Sequence, residues 1–216
     1  MSISILYSDP DVVAVNKPEG LAAVPERAGD DTCLRAQLAA QLGSAVWPVH
    51  RLDKEVSGVI LYARHAAAHR FLNAAFERRE VAKTYLAVVH GVVADEAGTI
   101  DQPLRAFGSG RIGVHADGKP SLTTYRVLAR AAGLTLLEVQ PHTGRRHQIR
   151  AHLYHLGHPI VGDLRYGDRP HQRGFPRLML HAAGIDAPLP SGGRLVLRDV
   201  PSATFSAAWQ ALQAAG

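Results

Sequence analysis

Short apolar runs along the chain predict its strands. Residues 12–15 and 59–62 are continuous apolar runs, as is typical of strands that are buried on both faces. A further strand is predicted at residues 81–90. Residues 121–129 and 134–139 form a predicted hairpin, since a short turn containing glycine joins two apolar stretches. Two more short strands are predicted nearer the C-terminal end, at residues 178–183 and 195–197.

Apolar residues at helical spacing predict four helices. The clearest covers residues 66–79, with apolar side chains on one face and two arginines at its end. An earlier helix is expected to begin at a Thr32 cap and to close at Gly43. Another follows a turn and covers residues 145–156, and the last lies near the C-terminal end.

Residues 92–120 interrupt these patterns. They contain seven Gly and Pro residues and show little periodicity, which predicts a loop-rich excursion. Elsewhere strands and helices alternate without the regular spacing of parallel βαβ units. The expected fold class is therefore α+β, with a mixed, mostly antiparallel central sheet and flanking helices and loops. The length favours a single domain over residues 1–216.

The charge distribution indicates a polyanionic partner. The 216 residues carry 24 Lys and Arg against 19 Asp and Glu, for a net charge of +5. Residues 50–90 hold seven cations and four anions, and residues 142–181 hold seven and two. Clustered arginine suits phosphate and can stack on bases, so nucleic acid is the simplest partner. Arg-rich codon usage would account for the Arg-to-Lys ratio but not for the clustering.

Composition also indicates the compartment. A single cysteine, Cys33, rules out an internal disulfide and fits a reducing environment. The N-terminal residues lack the basic and apolar regions of a signal peptide, and no apolar run is long enough to span a membrane. We therefore expect a soluble, cytoplasmic protein, most simply a monomer.

One carboxylate is the leading candidate for chemistry. Asp53 follows His50 and Arg51, precedes Lys54, and comes shortly before the predicted buried strand at residues 59–62, with Gly58 between them. Neighbouring cations keep a carboxylate ionised, which suits a nucleophile or base. An isolated Arg-x-Asp is more typical of a surface turn with a solvated ion pair, so the assignment depends on other motifs.

A second motif lies at the start of the helix predicted at residues 145–156. A Pro-His-Thr-Gly turn opens onto it, and the free N–H groups of a helix N-terminus favour anions. Arg145 and Arg146 are expected in its first turn, where a cation opposes the helix dipole. This placement predicts an external anion, which we take to be phosphate. Arg146 and Arg150 are expected to share a face.

The remaining candidates are weaker by themselves. Lys83 and Tyr85 begin the strand predicted at residues 81–90, where a tyrosine usually packs. A metal site is disfavoured, because no HExxH pair occurs and the histidine spacing does not suit one helical face. Neither a P-loop nor a dinucleotide-binding glycine motif is present, and no cofactor is expected. The histidines considered for the metal site are His142, His147, His152, His155 and His158.

Taken in order, these stretches resemble the three signature motifs of the RluA family of pseudouridine synthases. The motifs are His50-Arg51-Leu52-Asp53, Lys83-Thr84-Tyr85 and His142-Thr143-Gly144-Arg145-Arg146-His147-Gln148-Ile149-Arg150. Supporting matches are Asn16-Lys17-Pro18-Glu19-Gly20, Gly157-His158-Pro159-Ile160-Val161-Gly162-Asp163 and Leu180-His181-Ala182. The resemblance extends from about Ile5 to Val200. Two small departures are Arg146, where the family often has Thr or Ser, and Ala151, where Val is common.

The resemblance implies roles for particular residues. Asp53 would be the catalytic aspartate that attacks the target uridine, and Tyr85 the phenol against the flipped base. Arg150 would pair with Asp53 and hold it ionised. Arg51 would fill the gap that the extruded base leaves in the RNA. The other residues expected to bind RNA are Lys83, Arg145, Arg146 and His147.

Two other functions, a non-catalytic RNA-binding protein and a glycosidase, are consistent with part of the pattern. A non-catalytic RNA-binding protein would tolerate loss of Asp53 or Tyr85, yet both are present. A glycosidase usually needs a second carboxylate, for which Glu55 is the only nearby candidate in sequence. We expect no RNA-binding domain of the S4 type before the catalytic region, and residues 21–27 resemble short members that modify a stem-loop in 23S rRNA and tRNA. That substrate ranks first, and a tRNA-only enzyme ranks second.

Overall fold

A computed structural model describes residues 2–25, 32–108, 110–168 and 172–214. The chain forms two compact units. The first unit comprises residues 1–83 and 182–202, and the second comprises residues 84–181 and 203–216. The organisation as one catalytic domain stays a prediction. The segment 21–27, which was compared above with short family members, is described only as far as residue 25. Residues 26 and 27 lie outside the described residues.

Twelve strands and four helices have bounds within the described residues. In chain order they are β1 (Ser4–Ser8), β2 (Val12–Lys17), α1 (Leu34–Leu42), β3 (Trp47–Pro48), β4 (Ser57–Ala63), α2 (Ala66–Glu77), β5 (Ala82–His90), β6 (Ala97–Asp101), β7 (Leu104–Ala106), β8 (Ile112–Val114), β9 (Leu122–Ala131), β10 (Leu134–Pro141), α3 (Gln148–His155), β11 (Leu180–Pro188), β12 (Arg194–Arg198) and α4 (Ala203–Ala214).

The first unit contains a sheet that is covered on both faces, and its β1–β2, β2–β4 and β11–β12 pairs are antiparallel. β2 pairs with β1 on one side and with β4 on the other, with Val15 opposite Ile60. β11 lies beside β4 and pairs with β12. α2 packs its apolar face against β4, so alternate residues of β2 and β4 are buried there. Val13, Val15 and Ile60, which alternate with these residues, are also buried. This explains why the two strands read as continuous apolar runs.

The second unit has an antiparallel sheet and a separate hairpin. The order within this sheet is β5, β10, β9 and β6. The separate hairpin, β7 with β8, packs on α3 through a small core. That core consists of Leu104, Ile112, Ala151 and Tyr166. In α4, Phe205 is buried and stacks beneath the guanidinium of Arg177.

The predicted α+β class with mostly antiparallel strands is confirmed. Two local predictions are wrong. The excursion at residues 92–120 contains β6, β7 and β8; β7 and β8 have three residues each, too few to show alternation, and in β6 only Ile100 is buried. Helix α1 starts at Leu34 with Cys33 at its N-cap position and no side-chain cap, so Thr32 does not cap it. The predicted closure at Gly43 is confirmed, because Gly43 adopts a left-handed conformation. None of the helices in the described ranges is long and apolar enough to cross a membrane.

Candidate active site

In the first unit, Asp53 lies in a tight turn at the entrance of β4. The Asp53 carbonyl accepts a hydrogen bond from the Val56 N–H at 3.1 Å, and β4 begins one residue later. Leu52 and Val56 are buried on either side of the turn, while Asp53 itself is half-buried. The apolar neighbours anchor the turn, so its carboxylate is held in place and still accessible to solvent.

Gly58 allows β4 to lie close to β11. Its φ is +115°, and a Cβ at this position would lie 2.2 Å from the Ala182 carbonyl oxygen. Any other residue would therefore push β4 away from β11, just after the Asp53 turn. The close backbone approach predicted at Gly58 is confirmed.

A buried lysine holds the Asp53 turn from the other side. Lys17 has no exposed surface, and its ammonium donates to three carbonyls, of Pro18 at 2.9 Å, Leu21 at 2.7 Å and Lys54 at 3.0 Å. The Gly20 N–H also donates to the Lys54 carbonyl, at 2.9 Å. Because a buried ammonium is tolerated only when its donors are used, Lys17 ties the turn after β2 to the turn that carries Asp53.

His50 is a structural residue of the same turn region. Its Nε2 accepts a hydrogen bond from the Leu61 N–H at 2.9 Å, and its ring packs against Phe76 at 5.1 Å. Burial, together with the charge of Lys83, lowers the pKa of His50 to about 3. His50 is therefore neutral at pH 7. The prediction that it is one of the cations around Asp53 is wrong, because Nε2 accepts the Leu61 N–H and therefore carries no proton.

The cations beside Asp53 are exposed and border a cavity. Arg51 and Lys54 are exposed on either side of the half-buried aspartate. Lys83 is half-buried near His50, and burial lowers its pKa. The cavity has a volume of about 310 Å³, which is large enough for a nucleotide fragment. It is lined by Ala22, Ala23, Val24, Pro25, Arg51, Leu52 and Lys54.

In the second unit, Tyr85 lies on β5 and is largely buried. It pairs with Val139 of β10, and its side chain is 9 % exposed. Thr84 beside it is also buried. A phenol on a central strand with little exposed surface is well ordered and partly shielded from water.

Arg150 and Asp163 form a buried ion pair in the same unit. Arg150 donates from Nε and Nη2 to both carboxylate oxygens of Asp163, at 2.7 and 2.8 Å. The side chains are 5 % and 0 % exposed. The N–H groups of Arg165 and Tyr166 also donate to Asp163, at 3.0 and 3.1 Å. Four hydrogen bonds therefore hold the carboxylate, and through it the orientation of the guanidinium.

Tyr166 connects this pair to the β7–β8 hairpin. The Arg150 guanidinium lies 5.4 Å from the centre of its ring, and its hydroxyl accepts from the Ile112 N–H at 3.0 Å. The hydroxyl also lies 3.1 Å from Nδ1 of His147. Burial raises the pKa of Tyr166, so its phenol stays protonated and can hydrogen-bond to His147.

The basic segment before α3 differs from its prediction. Helix α3 begins at Gln148, not at residue 145, and His147 precedes it in a left-handed conformation. Arg145 and Arg146 therefore lie in the turn before the helix, so the argument from the helix dipole and the shared face of Arg146 and Arg150 are both wrong. Both arginines are exposed, and His147 is half-buried.

The cause of the late start is the Gln148 side chain. Its Oε1 accepts from the Thr143 hydroxyl and from the Arg145 N–H, at 2.7 and 3.1 Å. Its Nε2 donates to the Leu122 carbonyl and the Thr123 hydroxyl, both at 2.9 Å. This buried amide secures the turn to β9 and presents both arginines to solvent.

The histidines that could suggest a metal instead bind protein groups. His142 lies 3.0 Å from the Thr124 hydroxyl, and His158 lies 2.8 Å from the His90 carbonyl. His152 is fully buried between the Thr123 hydroxyl and the Gln102 carbonyl, and burial lowers its pKa. Across the part of the chain that the structure describes, no three His, Cys, Asp or Glu side chains are grouped as metal ligands.

The predicted site residues are thus distributed over both units. The first unit contains Arg51, Asp53 and Lys83, and the second contains Tyr85, Arg145, Arg146, His147 and Arg150. Pairing of Arg150 with Asp53, and contact of Tyr85 with a flipped base, stay predictions. Sequence reasoning did not select Lys17, Asp163, Tyr166 or Gln148 as site residues. For three of them the signal was present, since Lys17, Gln148 and Asp163 lie inside motifs that carried the family resemblance.

Comparison with known proteins adds independent information. The family model described as RNA pseudouridylate synthase matches residues 11–155. Ribosomal large subunit pseudouridine synthase D of Haemophilus ducreyi is 33 % identical over 213 residues, covering 90 % of this chain and 65 % of that protein. tRNA pseudouridine synthase C of Pasteurella multocida is 38 % identical over 207 residues, covering 84 % of each.

Solved structures agree with these matches. The structure titled Human RNA Pseudouridylate Synthase Domain Containing 1 has a TM-score of 0.82 and 29 % identity, covering 99 % of this chain and 95 % of that one.

Coverage of the sequence relatives is partial in some cases, since the chain spans 65 % of the Haemophilus protein and 60 % of tRNA pseudouridine synthase C of Pectobacterium carotovorum. The family model alone matches most of the chain, in the region that carries the three motifs. The chain therefore belongs to the RNA pseudouridylate synthase family, as its motifs predicted.

Proposed function

We propose that this protein is an RNA pseudouridine synthase that isomerises specific uridines in a stem-loop of 23S rRNA, of tRNA, or of both. The observation that carries the proposal is the Asp53 turn, a half-exposed carboxylate anchored by buried neighbours and by Lys17, inside the region that matches the family. Relatives named for large-subunit rRNA and for tRNA support both kinds of substrate. The protein would act in the cytoplasm, as a monomer, on RNA.

The reaction rearranges bonds without transferring a group. The N1–C1′ bond of uridine breaks, a C5–C1′ bond forms, the C5 proton is released and N1 gains a proton. There is no net redox change, so the balance of the reaction requires no redox cofactor. A base within a stem must first be extruded, which costs a few kcal/mol that contacts to the RNA backbone have to offset.

Each predicted residue has a role in this scheme. Asp53 is the attacking carboxylate, and Tyr85 lies against the flipped base and assists removal of the C5 proton. Arg150, oriented by Asp163, keeps Asp53 ionised. Arg51 occupies the gap left in the RNA. Basic side chains, two of them exposed and two half-buried, supply contacts to the RNA backbone, which are sequence-independent and sensitive to salt. These RNA-binding residues are Lys83, Arg145, Arg146 and His147.

The activity is tested by tritium release from RNA transcripts labelled at C5 of uridine. We expect release with the wild-type protein and none with Asp53→Asn, while the Kd for RNA changes by less than several-fold. Glu55→Gln is the matched control, because Glu55 is an exposed carboxylate on the same turn and should be dispensable. Binding without release by the wild-type protein would instead favour a non-catalytic RNA-binding protein.

The substrate is identified by mapping pseudouridines in RNA from cells with and without the gene, using carbodiimide adducts and primer extension. We expect the same stem-loop uridine to lose its modification in 23S rRNA and in tRNA. Loss from tRNA alone would establish the tRNA-only enzyme and overturn the ranking of substrates.

A further inference from the structure

The β7–β8 hairpin and α3 enclose a second cavity, which lies entirely within the second unit. Its volume is about 340 Å³, at the lower end of the range for small-molecule sites. None of its lining residues is assigned to the chemistry proposed above. They are Phe107, Arg111, Ile112, Gly113, Val114, Ala151, Tyr154 and His155.

Two aromatic rings at this cavity are unusually exposed. Phe107, just after β7, is 40 % exposed, and Tyr154 on α3 is 44 % exposed. Phe107 lies directly over Gly113 of β8, where a Cβ would approach the ring to 3.0 Å. The glycine therefore leaves room for the ring close to the backbone of β8. Because both rings line the same cavity, their apolar surfaces are grouped, and grouped exposed apolar surface marks a binding site.

An arginine guanidinium lies over each of the two rings. The Arg111 guanidinium lies 4.6 Å from the centre of the Tyr154 ring and 5.1 Å from that of Tyr166. Arg105 lies 5.4 Å from the centre of the Phe107 ring. One exposed acid is close, since Asp117 lies 3.7 Å from Arg105. The local charge is positive, and the arginine planes extend the aromatic surface.

We propose that this cavity binds an unpaired nucleobase of the RNA substrate, other than the target uridine, by stacking it against Tyr154 and Phe107. The inference rests on the proposed function, because it names a further contact of the same substrate. Proteins that bind single-stranded RNA stack its bases on aromatic rings and arginine planes, and hold the adjoining phosphates with cations. Arg105 and Arg111 supply those cations.

A nucleobase fits these features better than a peptide does. The cavity accommodates one compact planar group, whereas an apolar peptide would need a longer uncharged groove. Arg105 and Arg111 can hold phosphates that adjoin a base, and they give an apolar peptide nothing to bind.

The test compares the Kd of Tyr154→Ala and wild-type protein for a stem-loop RNA that the wild-type protein modifies. We expect binding about 5- to 150-fold weaker, as is usual when a stacking aromatic is removed. The slope of log K against log salt should not change, because no cation is removed. Arg105→Ala should instead reduce that slope by about 1.

Two controls separate stacking from folding. Tyr154→Phe should bind RNA like the wild-type protein, since the ring is kept. Leu128→Ala removes a similarly exposed apolar side chain, 40 % exposed, from β9 of the same unit and should have no effect on RNA affinity. Thermal unfolding of Tyr154→Ala should stay cooperative with only a small drop in Tm, because the half-exposed ring loses its contact with Arg111, and Tyr154→Phe should unfold like the wild-type protein.

The nucleotide is identified by replacing each unpaired base of the RNA in turn with an abasic residue. One replacement should weaken wild-type binding and have little further effect on Tyr154→Ala. Unchanged RNA affinity in Tyr154→Ala would overturn the proposal and leave a protein partner as the occupant of the cavity. Failure of the wild-type protein to release tritium would overturn the proposed function instead, so the two failures are distinguishable.

Discussion

Two aspartates in this molecule have opposite surroundings. Asp163 is buried, and its carboxylate accepts two hydrogen bonds from Arg150 and two from backbone N–H groups. Asp53 is half-exposed, and the turn that carries it is held through backbone atoms, by Val56 and by Lys17 acting on the next residue. A buried carboxylate that accepts four hydrogen bonds is suited to structure, whereas a half-exposed carboxylate on an anchored turn can be reached by a substrate.

The comparison shows how the fold separates stability from reactivity. In the second unit the Arg150–Asp163 ion pair itself stabilises the fold. Removing either residue leaves the other as a buried charge without a counter-ion. In the first unit Lys17 and His50 stabilise the fold, and Asp53 can be replaced by asparagine without loss of packing. The predictions below test this separation, from the largest expected effect to the smallest.

The two matched substitutions Asp163→Asn and Asp53→Asn should have different effects on stability. Asp163→Asn breaks a buried ion pair and should lower the free energy of unfolding by roughly 3 to 5 kcal/mol. Asp53→Asn changes a half-exposed carboxylate and should lower it by less than about 1 kcal/mol. Urea unfolding of the two variants measures both. Equal losses would contradict the assignment of separate structural and chemical roles.

Lys17→Met should weaken both the fold and the reaction. Three carbonyls lose a buried donor, so the free energy of unfolding should fall by about 2 to 4 kcal/mol. The turn that carries Asp53 is then no longer tied to the turn after β2. The kcat of the folded fraction should therefore fall by about 10²-fold. Lys54→Met is the stability control, since that side chain is exposed and should cost less than about 0.5 kcal/mol. A stable, fully active Lys17→Met protein would refute this role.

His50 should make the stability of the protein depend on pH. Its pKa is about 3 in the folded protein and near 6.5 when unfolded, so above pH 6.5 both states are neutral and no effect is expected. Below pH 6.5 the unfolded chain gains the proton first, and stability should fall by about 2 kcal/mol at pH 5. His50→Gln keeps an acceptor for the Leu61 N–H and should lack this component. Urea titrations at pH 7 and pH 5 compare the two proteins, and identical pH dependence would show that His50 is not buried neutral.

The smallest effect is expected for the exposed arginines before α3. Arg145→Ala and Arg146→Ala should each change the free energy of unfolding by less than about 0.5 kcal/mol. Each should reduce the salt dependence of RNA binding by about one unit of slope, if it contacts a phosphate. Arg78→Ala is the control, because Glu80 already pairs with that exposed arginine at 2.7 Å. An unchanged slope in both variants would remove these residues from the RNA-binding surface.

Much of the fold could be predicted from local patterns. β4 and α2 were recognised because one is a continuous apolar run and the other a strong amphipathic pattern, and both signals depend only on neighbouring residues. The predicted start of α3 failed because a side chain replaced a backbone interaction. The start of α3 depends on Gln148, whose amide binds groups from 26 residues away, and no local periodicity contains that information.

The candidate site was predicted unevenly for a similar reason. Asp53, Tyr85 and Arg150 are marked by motifs, but a motif does not show which charges are buried. His50 was expected to be charged, and the neutral state follows only from its burial in the folded unit. Asp163 lies 13 residues from Arg150, and its importance emerges only when the fold brings the two together.

The most direct test of the central claim is analysis of the nucleosides in a substrate RNA after incubation with purified protein. The wild-type protein should convert a defined uridine into an isomer of identical mass, and Asp53→Asn, although folded and able to bind the RNA, should leave every uridine unchanged. Formation of the isomer by Asp53→Asn at the wild-type rate would contradict the assignment of this half-exposed acid as the reacting group.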